Sequence, residues 1–168
     1  MRFNFLLWSR RSLLKGFLTG FFGLFTHPLS LLAAAKAGSK EWSITNEEWR
    51  KRLSPEVYKV LREEGTERPF SSALNLEKRD GTFHCAGCDF PLFSSAMKFD
   101  SGTGWPSFWQ SFPEAIDEKV DFKLIVPRTE YHCLRCGGHQ GHVFNDGPRP
   151  TGKRYCNNGI ALSFRPNS

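Results

Sequence analysis

Two Cys-x-x-Cys pairs constrain the fold of this chain more than any other feature of its sequence. Cys85 and Cys88 form the first pair and Cys133 and Cys136 the second, with 44 residues between the pairs. The two-residue spacing lets both sulfurs of a pair face one centre, and two pairs supply the four thiolates of a closed tetrahedral zinc site. A metal held in this way would join parts of the chain that are distant in sequence.

Other uses of these four cysteines are compatible with the spacing alone. In an exported protein they could form disulfides, and a single pair could be a redox-active dithiol. Iron could occupy the same four-sulfur site. Two matched pairs, neither of which follows a thioredoxin-type strand–helix pattern, favour one structural Zn²⁺ per chain. Such a site has no open coordination position, so catalysis has to come from other residues.

The fifth cysteine lies in different surroundings. Cys156 is in a polar and basic stretch between Arg154 and Asn158. Polar, electropositive surroundings favour a reactive thiolate, whereas a structural cysteine usually has apolar neighbours. Arg154 would share a side with Cys156 if this segment is a strand. The local sequence leaves open whether Cys156 is a nucleophile or a structural residue.

A pair of histidines precedes a strong turn signal. His139 and His142 are three residues apart and are followed by the Asn-Asp-Gly-Pro stretch at 145–148. They could be metal ligands or ordinary hydrogen-bonded side chains. The functional interpretation is that they bind and polarise a substrate oxygen next to a cysteine nucleophile.

A tryptophan is placed in a glycine-rich loop. Trp105 follows Gly102-Thr103-Gly104 and precedes a proline, which makes a position in a helix core improbable. Its ring could cap the core from a loop. It could also form the wall of a pocket for an apolar group.

The N-terminal segment has the features of an export signal. Residues 1–37 contain Arg10-Arg11, the uncharged run Gly16–Ala35 and small residues at its end. This pattern predicts a cleaved signal peptide, and the paired arginines resemble the twin-arginine type. We therefore expect export to the periplasm or cell envelope by the twin-arginine machinery. The uncharged run could instead anchor the protein in a membrane, although a His-Pro pair interrupts it.

The charge of the chain is concentrated in the same segment. The whole chain has a formal charge of +6, but residues 1–37 hold five basic residues and no acid. The remainder, 38–168, has 18 basic and 17 acidic residues and a net charge of +1. This nearly neutral domain and the export signal argue against a zinc-ribbon module that binds nucleic acid, and we expect no nucleic-acid partner. A thiol–disulfide oxidoreductase is the other alternative, and it requires one cysteine pair to be free of metal.

Local signals predict short helices followed by strands. Thr45 and Glu48 form a capping box for one helix, Ser54-Pro55 begins a second, and Gly65 stops it. After Gly65 the helical period is lost, and short segments bounded by turn residues predict antiparallel strands. The clearest of these segments are Lys119–Val126, Thr129–Cys133 and Ile160–Phe164.

Together these motifs resemble the methionine-R-sulfoxide reductase family, B type. The resemblance runs from about Trp42 to Phe164 and rests on the stretches 83–88, 99–108, 133–136, 141–148 and 151–158. It implies a reductase domain at 38–168 with a mainly β, α+β fold: two antiparallel sheets in a tent-like arrangement, short N-terminal helices and a structural zinc. We also expect a monomer.

The resemblance implies roles for individual residues. Cys156 would attack the sulfur of methionine-R-sulfoxide, carried mainly by oxidised proteins or peptides, and become a sulfenic acid. The other implied catalytic residues, near the sulfoxide oxygen or the nucleophile, are His139, His142 and Asn158. The implied substrate-binding residues are Trp105, Arg154 and Phe144.

One position departs from the family pattern. Many members carry a second cysteine in the Ser-Gly-x-Gly-Trp loop that resolves the sulfenic acid, and this chain has Thr103 there. With four cysteines assigned to zinc and one to catalysis, no resolving thiol is left. We therefore expect a thioredoxin-like or other external thiol to regenerate the enzyme.

Overall fold

The computed structural model describes residues 40–122 and 127–167. The predicted signal peptide at 1–37 lies outside the described residues, and its cleavage stays a prediction. Within the described part of the chain, no helix has the length and apolar character that crossing a bilayer requires.

Two short helices open the described chain, and local capping determines where they begin. Helix α1 spans Asn46–Arg52 and α2 spans Pro55–Glu63. The Thr45 hydroxyl accepts the Glu48 N–H, and the Glu48 carboxylate accepts the Thr45 N–H, each at 3.3 Å. The predicted capping box is therefore present. Ser54 caps α2 with proline at the first helical position, as the sequence predicts.

Helix α2 ends slightly earlier than its glycine. Glu64, rather than Gly65, adopts the left-handed conformation, with φ of 54°. The Gly65 N–H then donates to the Lys59 carbonyl at 2.9 Å, which closes the last turn. The helix buries Tyr58, Val60 and Leu61.

Strands make up most of the domain, in two antiparallel sheets. The strands among the described residues are β1 Gly81–Cys85, β2 Pro91–Ser94, β3 Lys98–Phe99, β4 Ser107–Phe108, β5 Ile116–Asp121, β6 Arg128–Cys133, β7 His139–Phe144, β8 Arg154–Asn157 and β9 Leu162–Pro166. The small sheet has the order β2-β1-β9, and the large sheet has the order β3-β4-β8-β7-β6-β5. This confirms the predicted mainly β fold with short N-terminal helices.

The limits of all three predicted strands differ from the observed ones, although β6 begins only one residue before the predicted Thr129. Strand β5 begins before Lys119 and ends at Asp121, and residues 123–126 lie outside the described part of the chain. The predicted strand at Ile160–Phe164 begins only at Leu162, after a 3-10 turn. The Glu67 carboxylate accepts the backbone N–H groups at the start of this turn, which holds the chain out of the sheet there.

An aromatic core lies between the two sheets. Phe93 of the small sheet stacks on Phe108 of the large sheet, with ring centroids 4.2 Å apart, and it meets the edge of Tyr131 at 6.2 Å. Tyr155 of β8 is buried in the same core. Because side chains alternate along a strand, burial of Tyr155 directs its neighbour Cys156 to the opposite face of the large sheet.

Candidate functional site

The four cysteines of the two Cys-x-x-Cys pairs come together in one buried cluster. Each Sγ lies within 4.8 Å of the others. Cys85 is 3.7 Å from Cys136, and Cys88 is 3.5 Å from Cys133. These separations exceed a disulfide bond of about 2.05 Å and match the edges of about 3.8 Å of a tetrahedron with Zn–S bonds of about 2.3 Å. The cluster is therefore suited to a structural Zn²⁺.

The electrostatics of the cluster favour a cation. The hydrogen bond to Cys133 and burial raise the pKa of the Cys85 thiol, whereas hydrogen bonds from neighbouring thiols lower the pKa of Cys136. Four such thiols ionise together only when a metal ion neutralises them. Cys85 ends β1 of the small sheet and Cys133 ends β6 of the large sheet. The ion would therefore join the two sheets, as the long spacing between the pairs predicts.

A separate cavity of ≈ 120 Å³ contains the fifth cysteine. We call it the Cys156 cavity. A larger cavity of ≈ 380 Å³ beside α2 contains none of the residues predicted to contact substrate. The Cys156 cavity is lined by Thr66, Trp105, Arg128, Gly141, His142, Phe144, Cys156 and Asn158.

The register of the large sheet assembles this cavity. Cys156 on β8 lies across from His142 on β7 and across from Ser107 on β4. Phe144 is two residues beyond His142, so alternation along β7 places both on the cavity side. Trp105 comes from the loop that precedes β4. The structure thus brings together Cys156, His142, Asn158, Trp105 and Phe144.

The thiol of Cys156 is half-buried, and burial is the strongest influence on it. Burial raises the pKa of Cys156, and the Arg154 charge and the Thr103 hydroxyl, 4.0 Å from Sγ, lower it by less. Arg154 lies outside the lining of the Cys156 cavity. Its guanidinium makes a bidentate ion pair with Asp146 at 2.8 and 2.9 Å and covers the Phe144 ring at 4.3 Å. In the absence of substrate the thiol form is therefore favoured.

A buried carboxylate holds His142. The Asp121 Oδ2 atom is 2.9 Å from His142 Nε2 and accepts a hydrogen bond from Arg128 at 2.9 Å. The Asp121 side chain is 3% exposed, so this contact is shielded from water. A carboxylate on one ring nitrogen sets the orientation and the tautomer of an imidazole.

His139 lies behind His142 rather than on the cavity wall. The two ring centroids are 5.5 Å apart, and His139 Nδ1 is 3.1 Å from the Glu130 carboxylate. Burial lowers the pKa of His139 to about 4, so its imidazole is neutral near pH 7. The register of β7 shifts by one residue opposite His132, and this irregularity lets the two histidines share a side despite their spacing of three.

Asn158 and Glu67 fix the chain beyond the nucleophile. The Asn158 side chain donates to the Gln140 carbonyl at 3.0 Å and accepts the Glu67 N–H at 3.1 Å. The Glu67 carbonyl accepts from the Trp105 indole at 3.3 Å. Asn158 thus lines the Cys156 cavity while both ends of its amide are engaged by the protein.

Comparison with known proteins agrees with this geometry. Residues 53–166 match the SelR domain family. This chain belongs to that family. The MsrB peptide methionine sulfoxide reductase of Pseudomonas putida (strain W619) is 54% identical over 123 residues, which cover 73% of this chain and 92% of the relative. That of Leifsonia xyli subsp. xyli is 52% identical over 134 residues, 77% of this chain and 96% of the relative.

A plant relative is longer than this SelR-domain protein. The chloroplastic peptide methionine sulfoxide reductase B1 of Oryza sativa subsp. japonica is 52% identical over 124 residues. The match covers 73% of this chain and 58% of the plant protein.

Several residues of this SelR-domain site have no sequence signal. Asp121, Arg128 and Glu130 belong to the β5–β6 hairpin, and Glu67 lies in the loop after α2. None of these residues is part of a recognisable motif, and only the register of β5 to β7 reveals which acid meets which histidine. Sequence reasoning therefore finds Cys156 and His142 but misses the acidic and basic groups around them.

Proposed function

We propose that this oxidoreductase reduces methionine-R-sulfoxide, mainly in oxidised proteins and peptides, to methionine, with Cys156 as the nucleophile. The observation that carries the proposal is the Cys156 cavity, where the single cysteine outside the metal cluster lies across from a carboxylate-bound histidine and next to Trp105. The names of the relatives support the same substrate class.

The proposed chemistry moves one oxygen atom. The Cys156 thiolate attacks the sulfoxide sulfur and forms an S–S bond. The oxygen then moves to the Cys156 sulfur, so the S–O and S–S bonds to the substrate sulfur both break and methionine leaves. The oxygen, with one proton, ends on the Cys156 sulfur as a sulfenic acid. The substrate sulfur gains two electrons and the cysteine sulfur loses two, so this step needs no further reactant.

The cavity residues supply a proton and an orientation. Negative charge develops on the departing oxygen, and His142 lines the cavity and can donate a hydrogen bond or a proton to it. Asp121, 2.9 Å from Nε2, positions the His142 ring. Trp105 offers an apolar face to the S-methyl group, which would fix the epimer whose oxygen points at His142.

An external thiol completes the proposed cycle. Thr103 is the residue whose side chain is 4.0 Å from the Cys156 sulfur, where a resolving thiol would be needed, and the other four cysteines are in the metal cluster. One donor thiol condenses with the sulfenic acid to give a mixed disulfide and water. A second donor thiol then releases Cys156 and leaves the donor as a disulfide.

A stereospecific assay tests this function. Zinc-loaded protein is mixed with R- and S-sulfoxide peptides, first without a thiol and then with thioredoxin or small dithiols. We expect reduction of the R epimer alone, about one methionine per protein without a donor, and no internal disulfide on thiol counting. An internal disulfide would contradict the direct-thiol cycle, and R-epimer reduction by Cys156→Ser would contradict the nucleophile.

We also propose that the twin-arginine machinery exports the protein to the periplasm. The support is the sequence of residues 1–37, with its arginine pair and uncharged run. The N-terminus of the protein isolated from the cell envelope tests this proposal. A start near Lys36 or Gly38 is expected, whereas an intact Met1 in the membrane fraction would favour the anchored alternative.

A further inference from the structure

A second depression adjoins the Cys156 cavity across one tryptophan. Trp105 lines the Cys156 cavity and also a neighbouring cavity of ≈ 150 Å³, which we call the flanking cavity. Phe70 and Leu76 form part of the wall of the flanking cavity. They are 73% and 82% exposed, whereas Leu74, which lies between them in sequence, packs against the core. Neither residue has a role in the core.

The backbone of Phe70 is held in an uncommon conformation. Its φ of 62° is in the left-handed region, which bulky residues rarely adopt. Such conformations persist only when surrounding contacts impose them, and they are enriched where a protein clamps a ligand. Because the Phe70 ring is largely exposed, burial of the ring does not explain why the protein keeps this conformation.

The contacts that impose it come from the tryptophan loop. The Gly104 carbonyl accepts the Phe70 N–H at 2.7 Å and the Asn75 side-chain amide at 3.0 Å. Gly104 has φ of +93°, and a Cβ at this position would lie 2.8 Å from Pro69. The close approach therefore requires glycine, and it fixes the loop that carries Phe70 against the loop that carries Trp105.

The polar groups at the edge of the flanking cavity already have partners. The Lys98 ammonium donates to the Asn75 carbonyl at 2.9 Å, and the Asp100 carboxylate accepts the Gly102 N–H at 2.9 Å. What remains for a ligand is the apolar surface of Phe70, Leu76 and Trp105. An apolar occupant gains most from such a surface, because a polar one would lose water without a new partner.

We propose that the flanking cavity binds an apolar side chain next to the oxidised methionine of a polypeptide substrate. This inference rests on the proposed function, because it places the methionine sulfoxide in the Cys156 cavity. The two cavities adjoin on either side of Trp105, so neighbouring residues of one extended chain can occupy one cavity each. Free methionine sulfoxide has no group for the flanking cavity and gains nothing from it.

The test measures a preference between two peptides. Zinc-bound full chain is assayed with a glycine-based R-sulfoxide peptide and with the same peptide carrying one leucine beside the sulfoxide, on either side in turn. Leu76→Ala and Phe70→Ala each remove apolar side-chain surface from the wall of the flanking cavity. Val120→Ala is the matched control, because Val120 is 56% exposed but lines neither cavity.

We expect wild-type kcat/KM to favour the leucine peptide by about tenfold, which corresponds to about 1.4 kcal/mol, mainly through KM. Leu76→Ala and Phe70→Ala should reduce this ratio to about twofold or less, and Val120→Ala should keep it. Equal kcat/KM for the two peptides in the wild type, or a ratio unchanged in both variants, overturns the flanking cavity but leaves the proposed function. Reduction of neither peptide overturns the proposed function itself.

Discussion

The five cysteines of this chain divide into two regions with opposite surroundings. Cys85, Cys88, Cys133 and Cys136 are at most 8% exposed and have one another as neighbours. Cys156 lies on the far face of the large sheet and lines a cavity with His142 and Trp105. Cysteine is thus a metal ligand where four thiols converge and a candidate nucleophile where a single thiol lines a cavity.

This difference shows that the chemistry of a cysteine depends on its neighbours. In the cluster, each thiolate needs the charge of a metal ion, and the closed set leaves no position for a substrate. In the Cys156 cavity, a single thiol is only partly buried, so a bound substrate can reach the sulfur. Substitutions in the metal cluster should therefore lower stability, whereas substitutions in the Cys156 cavity should lower activity and leave stability unchanged.

The largest effect is expected from removing a metal ligand. Cys85→Ser or prolonged chelation should leave the domain unfolded, because a structural zinc site supplies about 10–16 kcal/mol, comparable with a total stability of about 5–15 kcal/mol. Circular dichroism and metal analysis measure this. A cooperative melting transition in zinc-free Cys85→Ser would show that the fold does not depend on the cluster.

Cys156→Ser should have the opposite result. We expect a folded protein with one zinc ion and a free energy of unfolding within about 1 kcal/mol of the wild type. Its rate of sulfoxide reduction should fall at least about a thousandfold, because loss of a nucleophile removes the covalent route. Thermal melts, metal content and activity are measured on one preparation. Loss of zinc from this variant would contradict the independence of the two regions.

Changes at His142 should be smaller and confined to catalysis. His142→Asn should lower kcat by about a hundredfold or more, as expected for loss of a general acid. Asp121→Asn should lower kcat by less, because the histidine remains and only the carboxylate that positions it is lost. If kcat of Asp121→Asn equals that of the wild type, Asp121 has only a structural role.

The smallest effect concerns the reactivity of the free thiol. Because burial raises the pKa of Cys156, its alkylation by iodoacetamide in the absence of substrate should have a midpoint above pH 9.0, and Arg154→Gln should move the midpoint higher still. Below the midpoint the rate should rise about tenfold per pH unit, since the thiolate is the reacting form. Cys156→Ser is the control, and a midpoint near pH 7 would mean that Arg154 outweighs burial.

Features that depend on neighbouring residues in sequence are predictable from the chain. The capping box at Thr45 and the two-residue spacing of the cysteine pairs act locally, so helix starts and the metal ligands follow directly. The resemblance to the family then predicts that Cys156, His142 and Trp105 lie together at the substrate site. The burial of His139 behind His142 depends on a register shift against β6, which no local pattern encodes.

Long-range pairing sets the remaining part of the site. Asp121 reaches His142 because β5, β6 and β7 are neighbours in the large sheet, and Glu67 reaches the turn after Asn158 across 92 positions of the chain. Both acids have ordinary sequence surroundings. Their roles depend on which segments meet in three dimensions, and spacing along the chain does not contain that information.

The division of the zinc ligands between the sheets has a consequence for assembly. Two of the four thiolates come from the end of β1 and the turn after it, and two from the end of β6 and the turn after it, so neither sheet supplies the full ligand set. Tight metal binding and the docking of the two sheets therefore depend on each other. Bound zinc would then distinguish a fully assembled domain from a chain in which the two sheets have not docked.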